Sequence, residues 1–335
     1  MRSPDGRRTL LKKLWGYIPR GLKVPIRVAL AVVKGDIRIV VTGAQNIEQD
    51  SFEVVLADDL ESMRTRCCYR GVILERQQSP VVSLFADPTF ANLGVLPPNR
   101  AYPEFYTVRF RGRSLRWYPD SRVWPPTLDS YILVQEVLRT WTDSDTRVWE
   151  VGTGSGIIGL HLAVLSSCTD ALLTDVDAFA IEQARANAAL FPEGVALLRV
   201  ERFPPASPPS SPYDLLVSNP PYFPPGFLGL ASFEHQATDE YDLTSSLIAL
   251  GPSYARRVVF GFSSVLLAQV NGQLDNLPRR GLQWRILAKQ RLPLTLLEGG
   301  KPADLPPGVF RDGPNPLFSD TLWHDFYVCE IKALN

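Results

Sequence analysis

An α/β fold built on a mostly parallel sheet, preceded by an α+β unit, is what this 335-residue sequence predicts. Three segments carry that prediction. Arg147 to Leu160, RVWEVGTGSGIIGL, reads as a short strand, a glycine-rich turn at Gly152, Gly154 and Gly156, and the start of an apolar helix. Ala171 to Asp177, ALLTDVD, reads as a second strand, and the helix after it, FAIEQARANAAL, places Ala180, Ile181, Ala184 and Ala188 on one face that packs on the sheet. Tyr213 to Tyr222, YDLLVSNPPY, gives a third, central strand through Leu215, Leu216 and Val217, ending at Asn219-Pro220-Pro221-Tyr222.

The glycine turn decides what kind of ligand fits. Its spacing is G-x-G-x-G, with Ile157 where a dinucleotide fingerprint would carry its third glycine, so NAD is the weaker reading. No Lys-Ser/Thr pair follows, which excludes a phosphate-cradling P-loop. The turn still lets backbone approach a ligand at a helix N-terminus, a setting that suits the carboxylate of an amino-acid moiety. Asp175 lies 23 residues after Gly152, at the tip of the next strand, where a ribose diol would be held. Taken singly it also reads as a helix N-terminal acid.

The Asn-Pro-Pro-Tyr turn suggests the chemistry. Proline fixes its own φ and restrains the residue before it, so the Asn219 side-chain oxygen and the Pro220 carbonyl are presented in one geometry. Tyr222 can cover the face of something flat. A planar NH2 group fits this arrangement, because each of its hydrogens finds an acceptor. Alone, the same four residues read equally well as a stiff loop after a strand.

Together, EVGTGSG (150–156), TDVD (174–177) and SNPPY (218–222) resemble, in order and spacing, the class I S-adenosylmethionine (SAM) methyltransferases. The resemblance is greatest to the HemK/PrmC-like branch that N-methylates glutamine, and to its adenine-N6-methylating relatives. VWPPTLDSYIL (123–133) resembles the segment of that branch that precedes the first helix and carries a proline and then an acid-Thr pair, here Pro126, Asp129 and Ser130. TVRFRGRSLRWY (107–118), two alternating strands about Arg111-Gly112, resembles the hairpin found there.

The resemblance implies a Rossmann-like class I methyltransferase domain with a seven-stranded, mostly parallel sheet over residues 106–335, behind an N-terminal α+β accessory domain over 1–105. It implies SAM as cofactor and no metal. Ser130 would contact the methionine end, Glu150 the methionine amino group, and Gly152, Thr153, Gly154 and Gly156 its carboxylate. Asp175, with Val176 beside it, would hold the ribose, and Arg202 or Phe203 would cover the adenine. Asn219, which also borders the cofactor, and Pro220 would accept from the target NH2 while Tyr222 stacks on its plane. Four features depart from the family. The N-terminal unit replaces a helical domain, and FPPASPPSSP (203–212) stands where relatives carry an acid near the adenine. Thr127 stands where many bacterial members have arginine. The Gly/Pro-rich stretch from Glu298 to Asp320, between late strands WRILAKQ (284–290) and FYVCEIKAL (326–334), reads as a lid on the acceptor pocket.

Composition narrows the partners. Lys plus Arg and Asp plus Glu number 35 each, so the net charge is zero, which argues against a general nucleic-acid binder. Cys67, Cys68, Cys168 and Cys329 lack metal-ligand spacing, and Cys67-Cys68 reads as a reduced strand or turn pair in a cytoplasmic protein. His161, His235 and His324 are scattered and read as structural. Thr9 to Tyr17 reads as an amphipathic helix packed on its own domain, and no apolar run is long enough to span a membrane. IRIVV (37–41), FEVVLA (52–57), GVILE (71–75) and PVVSLF (80–85) read as short strands, and the unit ends near Leu96-Pro97-Pro98-Asn99. The expected activity is SAM-dependent N-methylation. A glutamine-like amide in a protein or peptide is the leading acceptor and a small metabolite or natural product the alternative; adenine N6 of nucleic acid comes third. A SAM-binding but inactive module is the alternative from a different class.

Overall fold

A computed structural model describes residues 38–40, 51–56, 63–69, 72–78, 106–111, 113–117, 122–124, 128–190, 197–205, 211–223, 242–294, 305, 307–310 and 322–334. Up to residue 106 it gives the course of the backbone alone. The expected helix at Thr9 to Tyr17, the expected strand at 80–85 and the expected boundary near Leu96 lie outside the described residues.

Strands β1 (Arg38–Val40), β2 (Ser51–Leu56), β3 (Met63–Tyr69) and β4 (Val72–Gln78) join β5 (Tyr106–Phe110) and β6 (Arg113–Trp117) in one sheet, ordered β1-β4-β3-β2-β5-β6. β3, which carries Cys67 and Cys68, has no strand signal in the sequence. Its pattern, MRTRCCY, lacks a clean alternation of apolar and polar residues. β2 pairs in parallel with β5, Phe52 opposite Tyr106 and Val55 opposite Arg109, so the hairpin expected to open the second domain is hydrogen-bonded to the first. The hairpin turns at Arg111, whose φ of 48° is left-handed. Its buried face, Val108 and Phe110, enters the core of the larger domain, with the Phe110 ring edge-on to Tyr131 at 5.8 Å.

The larger unit alternates helix and strand: α1 (Leu128–Arg139), β7 (Arg147–Val151), α2 (Ile157–Leu165), β8 (Asp170–Asp175), α3 (Ala178–Ala189), β9 (Leu197–Arg202) and β10 (Tyr213–Ser218). It continues through α4 (Leu243–Tyr254), β11 (Ala255–Ser263), α5 (Leu267–Leu274), β12 (Leu282–Leu294), β13 (Val309–Phe310) and β14 (Leu322–Ala333). Strands with apolar residues on both faces, joined by helices, form a parallel sheet covered on two sides. The order is β12-β14-β11-β10-β7-β8-β9, with β7 to β11 parallel and β14 antiparallel to both of its neighbours. This is the expected seven-stranded path of a Rossmann-like methyltransferase sheet. β13 pairs with β14 as an addition, so part of the 298–320 segment is strand rather than loop.

Alternation along each strand divides the core. Val148, Leu215 and Val217 face the side packed by α1 and α2, where Leu133, Leu160 and Leu162 are buried. Trp149, Leu216 and Val258 face the opposite side, against Leu247 and Ile248 of α4 and Val270 and Leu274 of α5. An ion cluster, buried except at Arg285, joins three strands of the sheet to the turn before β7. Arg257 on β11 binds Asp145 and Glu330, the latter at 2.9 Å, and Arg285 of β12 reaches the same Glu330 at 2.7 Å.

Candidate active site

The strand order reverses between β7 and β10, and in sheets of this kind ligands bind beyond the carboxyl ends of the strands at such a switch point. The glycine turn, Asp175 and the NPPY turn all lie at those ends. Gly152, Gly154 and Gly156 have φ of 70°, 52° and 85°, the left-handed region that disfavours any side chain. The Gly152 and Thr153 N–H groups donate to the Thr174 carbonyl at 2.8 and 3.0 Å, which sews the turn to the tip of β8. A Cβ at Gly156 would press on Ala184 at 3.3 Å, whereas one at Gly154 would meet only Val123 at 4.0 Å. Gly156 therefore serves helix packing, while Gly154 faces open space.

Two carboxylates flank the turn. Glu150 is fully buried; its Oε2 accepts from Thr153 Oγ1 at 2.6 Å and from the Gly159 N–H at 2.9 Å, while Oε1 has no hydrogen-bond partner among the described residues. Burial pushes its pKa up to about 8, against the opposing effect of those two hydrogen bonds. Asp175 accepts from the Gly154 N–H at 2.8 Å and from the Asp177 N–H at 3.0 Å, and burial raises its pKa. The Val176 N–H adds a further backbone interaction, and the four lone-pair sites of a carboxylate leave Asp175 capacity for one more donor.

The residues expected near an adenine face different ways. Phe203 stacks on Trp149 with centroids 6.3 Å apart, whereas Arg202 joins Ile181, Glu182 and Arg185 around a recess of about 330 Å³. Neighbouring residues of an extended chain point to opposite faces, so the two cannot cover one base together. Val176, between Asp175 and the cap of α3, is 53% exposed, an uncovered apolar surface at the end of β8.

At the end of β10 the geometry depends on Asp129, whose place in the 123–133 segment gives no sign of this role. Asp129 is buried in the first turn of α1, and its Oδ1 accepts from the Ser130 N–H at 2.9 Å. Its Oδ2 accepts from Asn219 Nδ2 at 2.9 Å and from the Tyr222 hydroxyl at 2.6 Å. Asn219 Oδ1 is buried and has no partner among the described residues. Burial and the adjacent carboxylate hold the Tyr222 phenol well above its usual range, so it stays protonated and donates. Pro220 is buried beneath the turn.

Around Tyr222 lies an aromatic and aliphatic wall. Phe223 is 4.8 Å away between ring centroids, His324 5.7 Å and Phe326 6.0 Å. Phe223, Val309 and Leu322 form a buried cluster against which Trp124, Tyr222 and Leu305 pack. His324 Nδ1 lies 2.9 Å from Ser263 Oγ, and burial lowers its pKa to about 4, so the ring is neutral near neutral pH. Nothing in the sequence marked His324 as a neighbour of Tyr222, because 102 positions and the strands β11, β12 and β13 separate them. His161 instead takes a place in the core, its Nδ1 2.7 Å from the Ile157 carbonyl.

Comparison with known proteins finds methyltransferases. The family model described as methyltransferase small domain matches residues 128–227. The tRNA1(Val) (adenine(37)-N6)-methyltransferase of Pectobacterium carotovorum subsp. carotovorum is 36% identical over 97 residues, 27% of this chain and 38% of that protein. The release factor glutamine methyltransferase of Neisseria gonorrhoeae is 32% identical over 117 residues, 35% of this chain and 42% of its own length. That of Bordetella pertussis is 34% identical over 125 residues, 36% of this chain and 45% of that protein. The chain thus spans less than half the length of these relatives. Residues 128–227 thus match a methyltransferase family, and class I methyltransferases of this kind use SAM. Within that class its relatives are the HemK-type glutamine methyltransferases and the tRNA adenine-N6 methyltransferases.

Proposed function

We propose that the protein transfers the methyl group of SAM to a planar NH2 nitrogen, and that a glutamine-like amide in a protein or peptide is the acceptor. The observation that carries this reading is the Asn219 amide, whose Nδ2 is committed to Asp129 while its Oδ1 is buried without a partner. A buried acceptor left unmade costs about 1–3 kcal/mol. An incoming N–H would relieve that cost.

The residues present fit the cofactor. Gly154 opens onto free space at a positive φ, Glu150 keeps an unpartnered buried oxygen for a cationic donor, and Asp175 offers acceptors to a diol. Ser130, Thr153 and Val176 complete that side, with Phe203 or Arg202 at its edge. SAM supplies a methyl group already activated by its sulfonium centre. What remains for the chain is alignment and exclusion of water. Asn219 Oδ1 and the Pro220 carbonyl accept the two N–H groups, draw electron density back to the nitrogen, and bind more strongly as positive charge grows there. Tyr222 covers the plane of the acceptor. Val309 packs beside Phe223, which supports reading the described residues 307–310 as part of a pocket wall. The N-terminal sheet is assigned to acceptor recognition.

A second reading, methylation of adenine N6 in RNA, is favoured by two observations. The Pectobacterium relative named above is a tRNA adenine methyltransferase of similar identity. Zero net charge also conceals a local basic excess, with Arg109 and Arg116 exposed on one face of the β5–β6 hairpin, Arg113 exposed on the other, and no acid in either strand. Methyl-labelled SAM incubated with a native extract, followed by separation into protein, RNA, DNA and low-mass fractions, tests both. Label in protein glutamine supports the leading reading, and label as N6-methyladenine moves the assignment to RNA or DNA. Label in the low-mass fraction identifies a metabolite acceptor, and label in none refutes methyl transfer.

A further inference from the structure

Asn219 and Tyr222 belong to one turn, yet what orients them comes from a helix about ninety residues earlier in the chain. Asp129 is held by its own backbone, with Oδ1 on the Ser130 N–H at 2.9 Å, so its Oδ2 has one direction to face. That oxygen receives the Asn219 Nδ2–H at 2.9 Å and the Tyr222 O–H at 2.6 Å. The two ends of an amide are nearly the same size, and packing alone distinguishes them poorly. A carboxylate distinguishes them absolutely, because it carries no hydrogen to donate and repels the amide oxygen. With Asp129 in place, Nδ2 must face it and Oδ1 must face the other way. Gly261 of β11 leaves room for that oxygen, since a Cβ there would stand 2.7 Å from Asn219 Oδ1.

We infer that Asp129 is a positioning residue that sets the polarity of the Asn219 amide, so that an oxygen and not an NH2 is offered to the acceptor nitrogen. It does so without touching the acceptor. The inference rests on the reading of Asn219 as the residue that accepts from the target NH2. Rotated by half a turn, the Asn219 amide would confront the target's hydrogens with its own, and the orientation needed for transfer would be lost. The bond to Tyr222 extends the control to the stacking ring, so one carboxylate fixes both contacts that the turn makes with a flat acceptor.

Two variants separate positioning from simple structural support. Asp129→Ala removes the discrimination. Asp129→Asn keeps a side-chain oxygen that can accept from Asn219 Nδ2 and from Tyr222. Transfer of methyl label from SAM into the extract fractions reads turnover, S-adenosylhomocysteine binding by calorimetry reads the cofactor side, and the ¹⁵N side-chain amide resonance of Asn219 reads the hydrogen bond itself. For Asp129→Ala the expected result is a fall in turnover on the order of 100-fold, as misplacement of reacting groups produces. S-adenosylhomocysteine affinity should stay within about twofold, below the effect of one lost hydrogen bond. The Asn219 Nδ2 proton should lose its protection from exchange. Asp129→Asn should recover a substantial part of both rate and protection. Turnover like wild type in Asp129→Ala, an unprotected Asn219 amide in wild type, or equal losses of rate and cofactor affinity would each overturn the inference. Absence of transfer by the wild type would instead refute the N-methylation reading beneath it, while the amide resonance would still report whether Asp129 holds Asn219.

Discussion

The Asp175 carboxylate accepts the Gly154 N–H at 2.8 Å, so the acid at the tip of β8 and the glycine turn after β7 form one hydrogen-bonded unit. Its other oxygen holds the Asp177 N–H at the entry to α3. Asp175 therefore shapes the turn as well as facing a ligand. Asp175→Ala should weaken binding of SAM and of S-adenosylhomocysteine by about 1–3 kcal/mol, the scale for a lost hydrogen bond to a charged group. Asp175→Asn can still accept at Gly154 and should lose less. Calorimetry on both variants decides, and equal losses would remove the turn from the explanation.

Glu150 gives a pH dependence with a defined sign. Its folded pKa is raised to about 8 by burial, above the ordinary carboxylate value of an unfolded chain. Between those values the folded protein holds a proton that the unfolded chain has released, so stability falls as pH rises through that interval. Buried His161 and His324, lowered to about 4, act oppositely and cost stability as pH falls below their unfolded value. Comparing Glu150→Gln with wild type isolates the first effect. The variant should gain stability relative to wild type steadily from about pH 5 to about pH 8, because only wild type carries the group that must ionise. Urea titrations at fixed pH values provide the check, and a constant difference would contradict the raised pKa.

Asn219→Ala should separate binding from transfer. The Asn219 oxygen contributes most when charge develops on the acceptor nitrogen, so turnover should fall on the order of 100-fold or more. Affinity for S-adenosylhomocysteine should change little. Tyr222→Ala should act chiefly on acceptor binding and appear in KM. Near-normal turnover by Asn219→Ala with the acceptor found in the labelling experiment would disprove the assigned role.

How much of this was legible in the sequence follows from the range of each signal. The glycine turn, Asp175 and the NPPY turn are local motifs, each fixed by residues adjacent in the chain. They could be read before any fold was known. Residues brought in from elsewhere could not. Asp129 reaches Asn219 across 90 positions, and His324 meets Tyr222 through the reversed strand β14, a contact that depends on the order of the sheet. The direction of Phe203 was also hidden, since its stacking on Trp149 depends on which face of the sheet the end of β9 turns toward. Net charge is blind in a different way. A sum over the chain cannot show that Arg109, Arg113 and Arg116 gather on one hairpin.

Two glycines outside the motifs give predictions of opposite sign. Gly261 lies on β11, and a Cβ there would stand 2.7 Å from Asn219 Oδ1 and 2.5 Å from Phe326 Cζ. Neither neighbour can withdraw freely, because Asp129 restrains the Asn219 side chain and Phe326 is fully buried. Gly261→Ala should therefore cost about 1–3 kcal/mol of stability through overpacking, and should reduce methyl transfer more than S-adenosylhomocysteine binding because the methyl group displaces the Asn219 oxygen. Gly272, exposed in α5, has nothing within 4 Å of its would-be Cβ. There the added methyl meets no one and the helix gains by losing its most flexible residue, so Gly272→Ala should stabilise by up to about 1 kcal/mol. Thermal unfolding of both variants, with cofactor-product binding measured alongside, tests the pair. Unimpaired stability and transfer in Gly261→Ala would show that the space beside Asn219 is not filled as described.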